Sequence, residues 1–429
     1  MPAVQSVVLH HVQIPLRQPF RHAAAERAVT DNVLCQVTLD DGTEGWGEGL
    51  PRSYVTGEST DTCFVEFAHR GPELLQCRAD SPAEVVTWLD LHSPVGPPPA
   101  GRAGESRKVK GDEPGALSPA VSSLLSPVSR PAAGPPPPGA GPRYLPYACW
   151  CALETAVLDA FGRSLRFSLT DVIGYVAGAE ALQPKPFVQY SAVLSTAPVW
   201  RQCLLAGAML LAGFHSFKAK VGFTVEEDAQ RTKWLRRTIG ANDLRLDANG
   251  AWPPAEVEAA VEALALYKPT CIEQPVAAGE EDTLAHLRQL GVPIMLDESV
   301  RSLAEAREAL AQGWCDFINI RISKCGGPLA SVRLLAAVRA AGGRAQLGCQ
   351  VGETGLLSAA GRHLACHLSG LEYLEGSYDR YLLAAQPTDP DITFGSGGWA
   401  PQLRGPGLGV TVRPKVLERF SVRRSAVPW

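Results

Sequence analysis

The sequence lacks any long hydrophobic run and any large excess of charge of one sign. No uncharged apolar segment approaches the roughly 18 residues that a membrane-spanning helix needs, and the net charge of the 429 residues is only −4. The first residues lack the basic segment and apolar stretch of a secretory leader. These absences predict a cytoplasmic protein that binds neither nucleic acid nor membrane.

The cysteines also lack a pattern. Eleven of them are scattered through the chain, and no spaced set of cysteine and histidine resembles a zinc site. Several lie in apolar segments, which is typical of buried, reduced thiols in a cytosolic protein. The sequence therefore gives no disulfide framework on which the fold depends.

The chain divides into five predicted parts. Residues 1–92 contain strand-like segments, an Asp-Gly turn and helical periodicity, which together predict a small α+β domain. Residues 93–142 are rich in proline and glycine and predict a flexible insertion. Residues 143–185 are predicted to be helical. Apolar strand-like segments alternate with helical ones through 186–375, and 376–429 is predicted to pack back on the N-terminal domain.

Three short apolar segments in the alternating part each end in a carboxylate. They are LRLDANGAW at 244–252, CIEQPV at 271–276 and MLDESV at 295–300, and their acids are Asp247, Glu273 and Asp297. The acids are 26 and 24 residues apart, the repeat expected of successive strands in a (β/α)8 barrel. Since catalytic groups lie at the carboxyl ends of such strands, the three acids should converge on a hard cation, Mg2+ or alternatively Mn2+.

Two lysines precede these acids by one repeat. Lys218 and Lys220 are separated by one residue on a predicted strand, so both side chains point to the same face. Two neighbouring cations lower each other's pKa, and a lysine so shifted can remove a proton near neutral pH. Asn249, two residues beyond Asp247, is predicted to contact the substrate, as is Glu298. The set indicates α-proton removal from a small-molecule carboxylate, with a metal ion stabilising the enediolate.

Taken in order, these motifs resemble the enolase superfamily, and within it the muconate lactonizing enzyme (muconate cycloisomerase) and mandelate racemase-like proteins. The motifs that carry the resemblance are KAK at 218–220, DANGAW at 247–252, EQP at 273–275, DES at 297–299 and KCGG at 324–327. The helix ALETAVLDAFGR and the segments PLRQPFRHA and GWGEG near the start also resemble the family.

The resemblance implies an α/β fold: a (β/α)7β TIM-like barrel, with an α+β capping domain built from the N-terminal region and the C-terminal segment. It implies Mg2+ on Asp247, Glu273 and Asp297, Lys220 as the base, and Lys218 holding the substrate carboxylate. It further implies a homo-oligomer.

One position departs from the family pattern. Relatives of this subgroup carry a second lysine at the end of the sixth barrel strand, whereas this chain has Arg321 there and Lys324 three residues later. Arginine stays protonated, so it is a poor base but a good partner for an enolate. The substitution favours a reaction that needs only Lys220, namely cycloisomerisation or β-elimination.

Three alternatives to that one-base reaction stay open. The first is a racemase or epimerase of an amino acid derivative that uses Lys220 and Lys324. The second is a catalytically impaired barrel that serves as a binding or scaffold protein, which the Arg321 departure and the long insertion suggest. The third is a hydrolase built on metal-activated water, which would leave the paired lysines without a role.

Further substrate contacts are predicted from loops and later strands. Phe20, Arg21 and Tyr54 lie in polar segments of the N-terminal domain, and loops on a rigid scaffold commonly carry such contacts. Glu353 follows the seventh predicted strand. The Asp-x-Asp pair of the dipeptide epimerases is absent near the eighth strand, where Glu372 and Glu375 are three residues apart.

Overall fold

The computed structural model describes the backbone of residues 1–22, 25–95 and 146–427, and within these ranges the side chains of all residues except 20–22 and 25–26. The predicted insertion 93–142 lies almost entirely outside the described residues. No helix in the described ranges is both long enough and apolar enough to cross a membrane.

The strands of the described ranges are numbered in chain order. They are β1 (Val4–Val12), β2 (Pro15–His22), β3 (Ala25–Val29), β4 (Asn32–Leu39), β5 (Glu44–Gly49), β6 (Phe187–Gln189), β7 (Ala192–Leu194), β8 (Ser216–Lys220), β9 (Asp243–Asp247), β10 (Cys271–Glu273), β11 (Ile294–Leu296), β12 (Phe317–Arg321), β13 (Arg344–Gly348), β14 (Leu371–Leu374), β15 (Thr388–Asp389), β16 (Trp399–Pro401), β17 (Thr411–Val412) and β18 (Ser421–Ala426).

The α-helices of the same ranges are numbered likewise. They are α1 (Thr60–Leu74), α2 (Pro82–His92), α3 (Tyr147–Leu165), α4 (Leu169–Ala177), α5 (Val199–Leu211), α6 (Val225–Ile239), α7 (Val257–Ala265), α8 (Leu303–Ala311), α9 (Pro328–Ala340), α10 (Gly355–His367), α11 (Asp379–Leu382) and α12 (Pro414–Phe420).

Eight parallel strands form the barrel predicted from the sequence. Their order is β7-β8-β9-β10-β11-β12-β13-β14, so consecutive strands are neighbours throughout. The backbone N–H of Ser191, just before β7, donates to the carbonyl of Leu374 in β14 at 2.9 Å, which joins the two ends of the curled sheet. Most residues of β7 to β13 are buried, which explains why apolar residues are frequent in these strands.

A separate antiparallel sheet forms the capping domain. Its strand order is β18-β1-β4-β5, so the last strand of the chain pairs with the first. This pairing confirms the expectation that the C-terminal segment returns to the N-terminal region.

The GWGEG segment lets helix α3 lie unusually close to this sheet. Gly45, Gly47 and Gly49 alternate along β5, and a Cβ at each would fall 2.1, 2.1 and 1.9 Å from backbone atoms of α3. Only glycine permits this approach. The close packing of α3 on β5 therefore gives a physical reason why the GWGEG segment and the helix segment ALETAVLDAFGR both resemble the family.

Three helix N-termini are each capped by a buried glutamate that does not belong to that helix. Glu58 accepts hydrogen bonds from the backbone N–H groups of Ala148 and Cys149 in the first turn of α3, which has no side-chain cap of its own. Glu48 on β5 likewise accepts hydrogen bonds from backbone N–H groups at the start of α10. Glu154 on α3 accepts one from a backbone N–H group at the start of α9. Each satisfies donors that a helix start leaves unpaired.

Two local expectations were wrong. Residues 15–32 have no clear periodicity and therefore predict a loop, but β2 and β3 pair there as a hairpin. Residues 280–290 predict a helix within the alternation of strands and helices, but the chain forms two short 3-10 turns, at Glu281–Leu284 and Leu287–Leu290. The described side chains of the hairpin are mostly exposed or half-buried, so its strands lack the alternation of apolar residues that marks a buried strand.

Candidate functional site

The predicted catalytic residues lie in one cross-strand row at the carboxyl ends of the barrel strands. Lys220 on β8 is in register with Asp247 on β9, and Asp247 is in register with Glu273 on β10. Asp297 follows β11 directly, and all three carboxylates are fully buried. The sequence repeat therefore brings the three acids and the lysine pair to the same end of the barrel.

Lys218 lies among three carboxylates. Its Nζ is 2.9 Å from Asp247 Oδ2, 2.8 Å from Glu273 Oε2 and 3.2 Å from Glu375 Oε2. Burial alone would lower the pKa of Lys218, but the three carboxylates outweigh burial and raise it above the usual range. Lys218 therefore stays protonated and acts as a fixed cation.

Lys220 has fewer acidic neighbours and stands nearer the open cavity. Its Nζ is 2.6 Å from Asp247 Oδ2 and 2.5 Å from Asn249 Oδ1, and 12% of its side chain is exposed. Burial would raise the pKa of Asp247, but Lys218 and Lys220 together lower it below the usual range. Of the two lysines, Lys220 is the one placed to exchange a proton with a ligand.

Arg321 and Lys324 take different positions. Arg321, at the end of β12, lines the same cavity as Lys220 and contacts the carboxylate of Asp297. Lys324 is fully buried, and its Nζ donates to Asp297 Oδ1 at 2.9 Å and to the carbonyl of Asn319 at 2.8 Å. Burial lowers the pKa of Lys324 to about 8. In this structure the Lys324 ammonium group binds the protein interior and does not line the cavity, whereas Arg321 does.

The three acids have the donor chemistry of a hard-cation site, although cationic side chains lie among them. No group of three or more His, Cys, Asp or Glu in the described ranges is arranged as a metal site. Lys218 bridges Asp247 and Glu273, and Arg321 contacts Asp297. Asp297 Oδ2 is the oxygen that Arg321 contacts. Three buried carboxylates at neighbouring strand ends supply the oxygen ligands that a hard cation takes, so the donor set fits once Lys218 and Arg321 shift.

A cavity of about 290 Å³ opens above this row. Several predicted substrate contacts line it, namely Tyr54, Asn249 and Glu298. Burial raises the pKa of Glu298, as do the neighbouring Asp247 and Glu273. Gln18 and Pro19 of the β2–β3 hairpin also line the cavity, whereas the side chains of Phe20 and Arg21 lie outside the described residues.

Glu353 does not line this cavity, contrary to expectation. Its Oε1 accepts the backbone N–H of Gln350 at 2.7 Å, and burial raises its pKa to about 8. Glu353 therefore holds the loop after β13 in shape.

Sequence reasoning missed several residues of the site. Those that line the cavity are Val193, Ser195, Thr196, Cys349, Gln350, Val351, Glu375, Tyr378 and Leu382. Glu375 was noted in the sequence only for its spacing from Glu372. The structure separates the two: Glu372 lies beside Arg344 at the surface, while Glu375 accepts from Lys218 and Arg245 inside. The signal that could have identified Glu375 is its position directly after the eighth barrel strand, β14.

Comparisons with known proteins agree with this architecture. The model of the family described as "Enolase C-terminal domain-like" matches residues 204–416. The chain is 30% identical over 283 residues to muconate cycloisomerase 1 of Rhodococcus opacus, covering 63% of this chain and 71% of that protein. It is 24% identical over 364 residues to a hydrophobic dipeptide epimerase of Enterococcus faecalis, covering 84% and 86%.

A third relative is known both by sequence and by structure. It is the N-succinyl-L-Arg/Lys racemase of Bacillus cereus, 27% identical over 368 residues and covering 84% of each chain. Its crystal structure superposes with a TM-score of 0.78 at 23% identity, covering 99% of this chain and 100% of that one. Together with the barrel, the capping sheet and the strand-end residues, these matches establish that the chain belongs to the enolase superfamily.

Proposed function

We propose that the protein removes the α-proton of an amino acid derivative and returns a proton to the opposite face, as a racemase or epimerase does. The racemase and the dipeptide epimerase named above, each covered over more than four fifths of its length, support this class. This ranking reverses the sequence-based expectation, which put cycloisomerisation or β-elimination first. The observation that carries the proposal is that Lys220 and Arg321 line one cavity from strands β8 and β12.

Lys220 is the proposed base. It is the less enclosed of the two strand lysines, and Asn249 and Asp247 hold its ammonium group at the cavity wall. Lys218, as an ammonium cation on the same strand, would attract the substrate carboxylate and the charge that develops on it. One strand would therefore supply both the base and a fixed positive charge.

Arg321 is the proposed group on the other face. In an eight-stranded barrel, β8 and β12 are four strands apart and thus lie across the axis from each other. A guanidinium can donate a hydrogen bond or a proton to the enediolate, but its neutral form is scarce because arginine stays protonated in proteins. Proton exchange from the Lys220 face should therefore be faster than inversion.

Mg2+, with Mn2+ as the alternative, is the proposed cofactor, held by Asp247, Glu273 and Asp297. When bound, such an ion would polarise the substrate carboxylate and stabilise negative charge on it. Crystal structures of dipeptide epimerases that resemble this chain are described as complexes with Mg. Lys218 and Arg321 would have to move away from the three carboxylates.

A second candidate is a one-sided reaction, cycloisomerisation or β-elimination. Arg321 favours it, since such a reaction needs one base and an electrostatic partner rather than two bases. The identity to muconate cycloisomerase 1 is in keeping with it. The two candidates differ in their products. A racemase or epimerase changes only the configuration of the α-carbon, whereas cycloisomerisation or β-elimination changes which atoms are bonded.

The test is α-proton exchange in D2O with Mg2+. N-acyl amino acids, dipeptides and unsaturated dicarboxylic acids are each incubated with the protein, and α-protons, chirality and new products are followed by NMR and chiral chromatography. Lys220→Met is the matched variant, and Lys233→Met on the surface of α6 is the control. We expect exchange and slower inversion of an amino acid derivative, both at least about 1,000-fold weaker in Lys220→Met.

Other outcomes count against the proposal. A ring or an alkene as the product would favour the second candidate. Inversion that survives in Lys220→Met would remove Lys220 from its role. The absence of any exchange, together with no Mg2+ binding, would favour a binding or scaffold protein.

A further inference from the structure

Gln350 carries the least satisfied polar side chain at the cavity. It lies in the loop after β13, is 3% exposed, and lines the cavity together with Lys220 and Arg321. Neither its amide nitrogen nor its amide oxygen has a hydrogen-bond partner among the described residues. Its backbone is fixed, because its N–H donates to Glu353 and its carbonyl accepts from the Glu353 N–H. Only the terminal amide is left without partners.

The other fully buried glutamines of the described ranges behave differently. Gln202 donates to the Ser195 carbonyl and accepts from Arg231. Gln274 donates to Ser299 and accepts from the Asp297 N–H. Gln346 accepts from Arg245. Each of these three lies inside the protein wall, so among the fully buried glutamines of the described ranges only Gln350, which borders the cavity, has neither amide atom partnered.

We propose that Gln350 is a specificity-determining residue that binds the amide group of the substrate. Resting on the proposed function, this inference narrows the substrate to one with a peptide or N-acyl amide next to the reacting carbon. A primary amide has one acceptor and two donors in a plane, so it matches the C=O and N–H of a second amide. The Gln350 amide is uncharged, so we expect the substrate carboxylate to bind the cationic side chains on the other strands instead.

The position of Gln350 suits this role. The carboxylate of a substrate would lie near Lys218 and Arg321, and in an N-acyl amino acid the amide nitrogen is bonded to the α-carbon. The Gln350 amide atoms have no exposure of their own, so binding of a ligand by this amide requires a rotation of the side chain toward the cavity. A buried donor and acceptor that find partners only in the bound state favour the substrate that supplies them.

The experiment compares an amide substrate with its ester analogue in two proteins. An N-acyl amino acid that undergoes exchange is paired with the O-acyl hydroxy acid of the same shape, which lacks the N–H. Both are assayed with the wild-type protein and with Gln350→Met, which keeps the length of the side chain but removes both polar atoms. Gln312→Met, an exposed site beyond α8, is the control for the same chemical change.

We expect the wild type to prefer the amide over the ester by about 10- to 100-fold in kcat/KM, and Gln350→Met to reduce this preference to a few-fold. The larger loss should fall on the amide substrate, because the ester keeps the carbonyl group but has no N–H to donate to Gln350. An unchanged preference in Gln350→Met would overturn the inference, with water then satisfying the amide. Absence of exchange with every N-acyl substrate would instead contradict the proposed function, since the Gln350 comparison needs a working reaction.

Discussion

At the scale of single residues, the two lysines of β8 differ in role because of their neighbours. Period two puts Lys218 and Lys220 on the same face, which the sequence predicts. Three carboxylates surround Lys218, whereas Lys220 meets one carboxylate and an amide oxygen. Burial lowers the pKa of Lys218, but the three carboxylates raise it further, so the net shift is opposite to the lowering that the lysine pair alone predicts.

Metal binding gives the residue-scale prediction. Asp297→Asn should weaken Mg2+ binding at least about tenfold, because it removes a charged ligand from a set of three. Isothermal titration with Mg2+, or Mn2+ titration by electron paramagnetic resonance, measures the affinity. Glu372→Gln, a half-exposed carboxylate beside Arg344, is the control and should leave affinity unchanged. Equal affinities in both variants would contradict the assignment of Asp297.

Residue spacing predicted part of the site and missed the rest for a physical reason. The acids and lysines were found because strand ends repeat at a regular interval in the sequence. Arg321 lies at the end of β12, as the sequence predicts. Arg321 also lines the cavity, whereas Lys324 does not. Gln350 could not be found this way, because what marks it is the absence of partners in three dimensions.

At the scale of elements, buried glutamates connect the capping region to the helices. Burial raises the pKa of Glu58 to about 7, that of Glu48 to about 7 and that of Glu154 to about 8. Hydrogen bonds from helix N–H groups oppose the effect of burial without overcoming it. The folded state therefore binds protons more tightly at these groups than the unfolded chain does.

This gives a pH prediction with a definite sign. The folded pKa of Glu58 exceeds its ordinary value of about 4.5, so its protonation stabilises the fold below that pH and the contribution is lost as pH rises through about 7. The free energy of unfolding of the wild type should thus fall relative to that of Glu58→Gln, which has no titrating group at this position, between pH 5 and pH 8. The change is on the order of 1–3 kcal/mol.

Urea unfolding at both pH values measures this difference. Glu84→Gln, an exposed glutamate in the first turn of α2, serves as the control. Glu48 and Glu154 are present in all three proteins, so their contributions cancel. A gap between wild type and Glu58→Gln that stays constant from pH 5 to pH 8 would show that Glu58 is already ionised in the fold at pH 5.

Element prediction from sequence worked where burial is strong. The barrel strands were found because they are apolar on both faces, and α3 because its apolar residues recur at helical spacing. The hairpin of β2 and β3 and the 3-10 turns at 281–290 were missed, since they are mostly exposed or irregular and leave little periodic signal.

At the scale of the whole molecule, the fold puts the proposed reacting groups on opposite sides of one cavity. The C-terminal strand β18 completes the capping sheet beside β1, and the β2–β3 hairpin of the same domain covers the cavity with Gln18 and Pro19. The alternation of strands and helices was enough to predict the barrel. The return of the C-terminal segment followed from the family resemblance.

The most direct test of this account is the rate of α-proton exchange for each enantiomer of one substrate, measured separately in D2O. We predict that one enantiomer, which presents its proton to Lys220, exchanges at least about 100-fold faster than it inverts. Its mirror image should exchange no faster than it inverts, and Arg321→Lys should speed exchange of that second enantiomer. Equal, rapid exchange of both enantiomers by the wild type would contradict the assignment of Lys220 and Arg321 to the two faces.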